Sequence, residues 1–131
     1  MKSGRLAFFV LLFGAALLSL PVFAHHSSAS YDLQHPVTIR GTVKQFEWSN
    51  PHAFIYLDVK NKNGAIEAWR VEGNSPNMLR RVGWKNDILK EGDVISVTGA
   101  PAKDGSTVMR LDNVVLANGQ KLDGQGFQYG H

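Results

Sequence analysis

The sequence contains no cysteine. This excludes disulfides, thiolate nucleophiles and metal sites built on sulfur, so a domain made from this chain must rely on its apolar core. Long hydrophobic runs are also scarce. The one present, Leu6 to Leu20, is about fifteen residues, short of the roughly 20 that cross a bilayer as a helix. A lasting surplus of basic charge is missing too. The net charge of +3 includes Lys2 and Arg5, which flank that run and leave with it if it is removed. A nucleic-acid binder should keep its excess of Lys and Arg, so nucleic acid is not an expected partner. No phosphate-cradling glycine loop, nucleophile elbow, H-E-x-x-H or dinucleotide fingerprint occurs. Glu47, Asp58, Glu67 and Glu72 read as solvated or hairpin-paired acids rather than a matched acid and base, since unpaired acids are seldom buried. An enzyme is the least expected reading.

What is present begins with an address. Lys2 and Arg5, the apolar run, Pro21 and the small-residue end Val22-Phe23-Ala24 have the order of a secretory signal peptide. Cleavage between Ala24 and His25 leaves 107 of the 131 residues, enough to bury the core of one domain. The expected compartment is the bacterial periplasm, with no membrane anchor after processing. The processed chain then starts with His25-His26, an imidazole beside a free α-amine.

Residues 25–35 are polar and aperiodic and read as an extended N-terminal arm. From Pro36 the texture is β. Val37 to Val43 alternates and is rich in β-branched residues, the pattern of a strand. The apolar phase then slips before Phe46 and Trp48, which predicts a β-bulge, with Gly41 as the place to bend. Ser49-Asn50-Pro51 marks a turn. His52 to Lys60 predicts a strand with Ala53, Ile55, Leu57 and Val59 on one face and Phe54 and Tyr56 on the other. Asn61 to Gly64 forms a hairpin loop into a third strand, Ala65 to Glu72.

Ser75-Pro76 opens a short helix, Ser75 capping it and Pro76 fitting the first helical position. Gly83 stops it. Strands follow at Val94 to Ala100 and Thr107 to Leu116, then a last short hairpin to Leu122. Three strands, a helix and two strands is the order of an oligonucleotide/oligosaccharide-binding (OB) barrel. The expected fold is all-β with one short helix: an OB-like, five-stranded, partly open barrel over residues 36–122, followed by a flexible glycine-rich tail, 123–131. Of Trp48, Trp69 and Trp84, at least two should be structural, given the area a tryptophan buries.

The words Trp48-Ser49-Asn50-Pro51-His52, Trp69-Arg70-Val71-Glu72-Gly73 with Ser75-Pro76, Arg81-Val82-Gly83-Trp84 and Leu89-Lys90-Glu91-Gly92-Asp93, behind the His25-His26-Ser27 start, resemble an exported bacterial family known as domain of unknown function 6152. The resemblance spans about residues 24–122. It implies a periplasmic β-rich domain and carries no activity.

Two candidate sites follow. A terminal histidine chelates through amine and imidazole, and a further imidazole completes a nitrogen-rich set suited to Cu(II). The candidate ligands are His25, His26, His35 and His52. The second site is a ligand-binding face on the second and third strands, with Phe54 and Tyr56 outward and Arg70 across the hairpin, a combination that stacks on rings. The competing reading is that the arm, or Trp84 with the helix, covers these rings. The expected function is that of a non-enzymatic binding or accessory protein, with an unknown ligand or a periplasmic protein as its partner. A copper-binding protein is the alternative.

Overall fold

The computed structural model describes residues 28–125. The expected signal peptide and cleavage site, with His25 and His26, lie outside the described residues. Six strands and one helix follow a single 3-10 turn at Ser28–Ser30: β1 (Val37–Glu47), β2 (Phe54–Lys60), β3 (Ile66–Glu72), α1 (Pro76–Arg81), β4 (Val94–Pro101), β5 (Val108–Val115) and β6 (Lys121–Asp123). The order across the sheet is β3-β2-β1-β4-β5-β6, and β3 also pairs with β5.

That last pairing closes five strands into a barrel. β1 makes the barrel possible by serving two partners. Its first half, from Val37 to Thr42, pairs with β4, and its second half, from Gly41 to Glu47, pairs with β2. One extra residue, Lys44, sits between Val43 and Gln45 where the β1–β2 register shifts. The phase slip in the sequence is therefore a bulge, as expected, but it falls at Lys44 rather than Gly41. Gly41 serves a different purpose. A Cβ there would lie 2.6 Å from the Asp58 carbonyl oxygen, so only glycine lets β1 and β2 approach at that point. The closing β3–β5 seam is parallel and short, running only from Arg70 opposite Val108 to Glu72 opposite Arg110.

Alternation decides the interior. Ile55, Leu57 and Val59 of β2, with Ala53 before it, are buried with Val43, Val71, Ile95, Val97, Met109, Leu111 and Val114. Each of these side chains larger than alanine stabilises the fold by roughly 1.5–3 kcal/mol. The helix plugs one end. Ser75 accepts from the Met78 amide and Pro76 fills the first turn, as the sequence predicts, and Leu79 points into the core. Trp84 is 1% exposed and donates from Nε1 to the Asp123 carbonyl at 2.7 Å. Trp48 and Trp69 pack against the same core less deeply.

Two segments are more ordered than the sequence suggests. The start of the tail is pinned. Asn74 Nδ2 donates to the carbonyls of Gly124 and Gln125, and Gln125 Nε2 donates to the Leu111 carbonyl. Residues 126–131 lie outside the described residues. The described part of the arm docks rather than extending freely. Tyr31 is 3% exposed and bridges to Ala102, the Asp32 amide donates to the Pro101 carbonyl, and the Lys103 amide donates to the Ser30 carbonyl. A lone tyrosine in a polar stretch has no period to announce it.

Candidate functional site: the outer face of β2 and β3

Because strand side chains alternate, the residues that flank the buried Ile55, Leu57 and Val71 share the outside of the barrel. Phe54 stands opposite Glu72, and Tyr56 opposite Arg70. Phe54 and Tyr56 are half-buried, with ring centroids 6.4 Å apart and planes tilted by 36°. Neither ring belongs to the core cluster. The Arg70 guanidinium lies over Phe54 at 5.3 Å from its centroid, within reach of a cation–π attraction. The three residues named from the sequence as a ligand-binding face are thus brought together. Below Tyr56 a depression of about 390 Å³ is lined by Lys44, Asp58, Ala68, Arg70 and Val108 among others.

Two carboxylates that the sequence reading left as solvated acids edge this face. Glu47 accepts from the Tyr56 hydroxyl at 3.2 Å and from Ser49 at 3.0 Å. Glu72 accepts from the Tyr31 hydroxyl at 2.8 Å, and its other oxygen lies 3.5 Å from His52 Nε2. Period two could have placed Glu72 on the face of Arg70; nothing in the sequence signals Tyr31. Burial, then the hydrogen bond to Glu72, holds the Tyr31 phenol protonated well above its usual range. Burial, followed by the charge of Glu47, raises Tyr56 in the same sense. Both hydroxyls therefore act as donors, and neither is poised as a base or nucleophile.

Arg70 is different. Among the described residues no carboxylate lies within salt-bridge distance of it, and its Nε is buried without a hydrogen-bond partner. The other acids have partners: Asp58 meets Lys44 at 3.8 Å, and Glu67 accepts from Asn61 and the Trp69 indole. Trp84, one of the two candidate covers for the rings, instead packs beside Phe46, whose centroid is 5.9 Å from its own. The described part of the arm reaches this face through Tyr31, at its Glu72 edge.

The two described histidines are placed apart in their contacts. His35 sits on Asp32 at 3.0 Å in an exposed turn, and its charge-assisted hydrogen bond lowers the Asp32 pKa. His52 Nδ1 lies 2.9 Å from the Gly73 carbonyl. A carbonyl only accepts, so Nδ1 carries a hydrogen, and Nε2 is the ring nitrogen turned toward Glu72. Among the described residues no group of three or more His, Asp or Glu could hold a metal ion.

Residues 14–110 match the model of a family of unknown function, DUF6152. The chain belongs to that family. The match takes in β1 to β4, the helix and every residue of the face just described. No curated protein matches. Among solved structures the chain is similar to TiaS in its complex with a transfer RNA and ATP, at 21% identity and a TM-score of 0.46 over 63% of this chain. The chain spans only 18% of that protein. It is also similar to the mitochondrial single-stranded DNA-binding protein Rim1 of S. cerevisiae, at 9% identity and a TM-score of 0.49, covering 63% of this chain and 93% of that one. What makes this DUF6152 member OB-like is its own strand order and closure. No helix among its described residues is long and apolar enough to cross a membrane.

Proposed function

We propose that this DUF6152 protein is an exported, non-enzymatic binding module that takes its ligand on the outer β2–β3 face. The observation that carries the reading is the Phe54–Tyr56 pair, set outside the core with the unneutralised Arg70 guanidinium over one ring. Half-exposed rings on a rigid sheet offer stacking area with little further ordering cost. Export rests on the N-terminal charge, apolar run and Ala24 end. The test uses the processed protein and phenyl β-D-glucoside, a neutral probe with two stackable rings. Saturable NMR shifts confined to β2 and β3, and abolished in a Phe54→Ala variant, are expected. No shift, or shifts scattered over the surface, would sink the reading.

A second reading is favoured by the orientation of His52. Its Nδ1 donates to the Gly73 carbonyl and its Nε2 is turned toward the Glu72 carboxylate, and a ring nitrogen held by a carbonyl in this way is common in histidine ligands to metals. Tyr31, six positions after His25 in the sequence, is tied to that same Glu72. In this reading Cu(II) is held by the amine and imidazole of the mature His25 with His52, and His26 or His35 as further candidates. Cu(II) titration of the processed protein should lose affinity when one residue is added before His25 and again in a His52→Ala variant. Equal affinity in all three proteins ends it.

A further inference from the structure

We infer that the ligand of the β2–β3 face carries a carboxylate attached to a ring. The inference rests on the proposed binding face and adds the charge class of its occupant.

Outward positions bring Glu47, Asp58 and Glu72 together with Lys44, Lys60, Arg70 and Arg110, and Arg40 lies beside Lys44, Asp58 and Lys60. Asp58 and Lys44 answer each other. The carboxylates of Glu47 and Glu72 are held in place by the Tyr56 and Tyr31 hydroxyls, so they cannot simply swing away from an incoming anion. Between them, Arg70 has a charge that no protein carboxylate meets at contact distance among the described residues. A planar guanidinium pairs best with a planar carboxylate, two parallel N–H groups donating to its two oxygens. Arg70 already lies over Phe54, so a carboxylate meeting it brings its own ring toward Phe54 and Tyr56.

Isothermal titration and NMR on the processed protein, using phenyl β-D-glucuronide against phenyl β-D-glucoside, test this directly, because the two differ only in a carboxylate for a hydroxymethyl. The glucuronide is expected to bind about tenfold more tightly, the size of one charge-assisted contact at a half-exposed site. Benzoate and free glucuronate separate an aromatic from a sugar source of the acid, and whichever binds should shift Phe54 and Tyr56. An Arg70→Met variant with native NMR dispersion should bind the two glycosides equally. If wild-type protein binds glucoside and glucuronide equally, the charge selection is wrong while the face survives. If neither shifts β2 and β3, the face itself is wrong, and the inference falls with it.

Discussion

Replacing Tyr31 by phenylalanine removes one hydroxyl from a ring that is 3% exposed and leaves the packing in place. What is lost is the 2.8 Å hydrogen bond to Glu72. A hydrogen bond to a charged acceptor at a part-buried site is worth about 1–2 kcal/mol, so near pH 7 the Tyr31→Phe variant should be less stable by that amount. Alkali changes the sign. In the unfolded chain the phenol ionises near its ordinary value of 10.0, whereas in the folded protein burial and Glu72 keep it protonated well above that. Between those limits the unfolded state has released a proton that the native state still holds, so wild-type stability falls as pH rises. Its slope has a ceiling of about 1.4 kcal/mol per pH unit, reduced by solvent access at the hydroxyl end. The variant has no such proton, and all other titrations are common to both proteins. The wild-type advantage should therefore hold below about pH 9, shrink from about pH 10, and vanish or reverse within about one to two units above that. Paired urea melts from about pH 7 to 11, at constant ionic strength, measure the difference. Parallel curves across the whole range would mean that the hydroxyl titrates alike in both states, and would refute the Tyr31–Glu72 contact.

Other perturbations have equally definite outcomes. Trp84→Ala opens a cavity under the helix and frees the Asp123 carbonyl; urea melts should show a loss of about 3–5 kcal/mol. Trp84→Phe should cost less and chiefly raise hydrogen exchange at Gly124 and Gln125. Gly99→Ala would press a Cβ against the Arg110 carbonyl oxygen where the β4–β5 register shifts. It should cost about 1–3 kcal/mol or more, and a neutral result would refute that close approach. Lys44→Ala removes a 3.8 Å pair between half-exposed groups; its effect on stability should stay within about 0.5 kcal/mol and shrink further in about 0.5 M salt.

The parts of the fold that follow a period were legible. β2 alternates cleanly, so its inner and outer faces could be named residue by residue. The Ser75-Pro76 cap marks the helix start because the chemistry of a helix terminus is local. The bulge was legible as a slip in phase but not in position, since Gly41 looks like a bend while serving a close backbone approach to Asp58. The candidate face divides the same way. Phe54, Tyr56 and Arg70 could be read from strand alternation, whereas Glu47 and Glu72 became its edges only through tyrosines far away or across a turn in sequence. Tyr31 is 41 positions from the residue it bonds. Gln125, in a glycine-rich stretch, is held by Leu111 through a contact that no local pattern encodes. Long-range hydrogen bonds of this kind leave no spacing for a sequence to display.

The parallel seam between β3 and β5 has a mechanical meaning. Every other joint of the barrel is a longer antiparallel ladder, whereas this one spans three residue pairs. The hoop is therefore weakest there, and hydrogen exchange through partial opening should begin at Arg70 to Glu72 and Val108 to Arg110. The arm crosses that joint from outside. Its backbone is bonded to the β4–β5 hairpin at Pro101 and Lys103, and the Tyr31 hydroxyl reaches over to Glu72 on β3. It acts as a strap buckled across the split in the hoop, and loosening the strap would slacken the strand that presents Arg70.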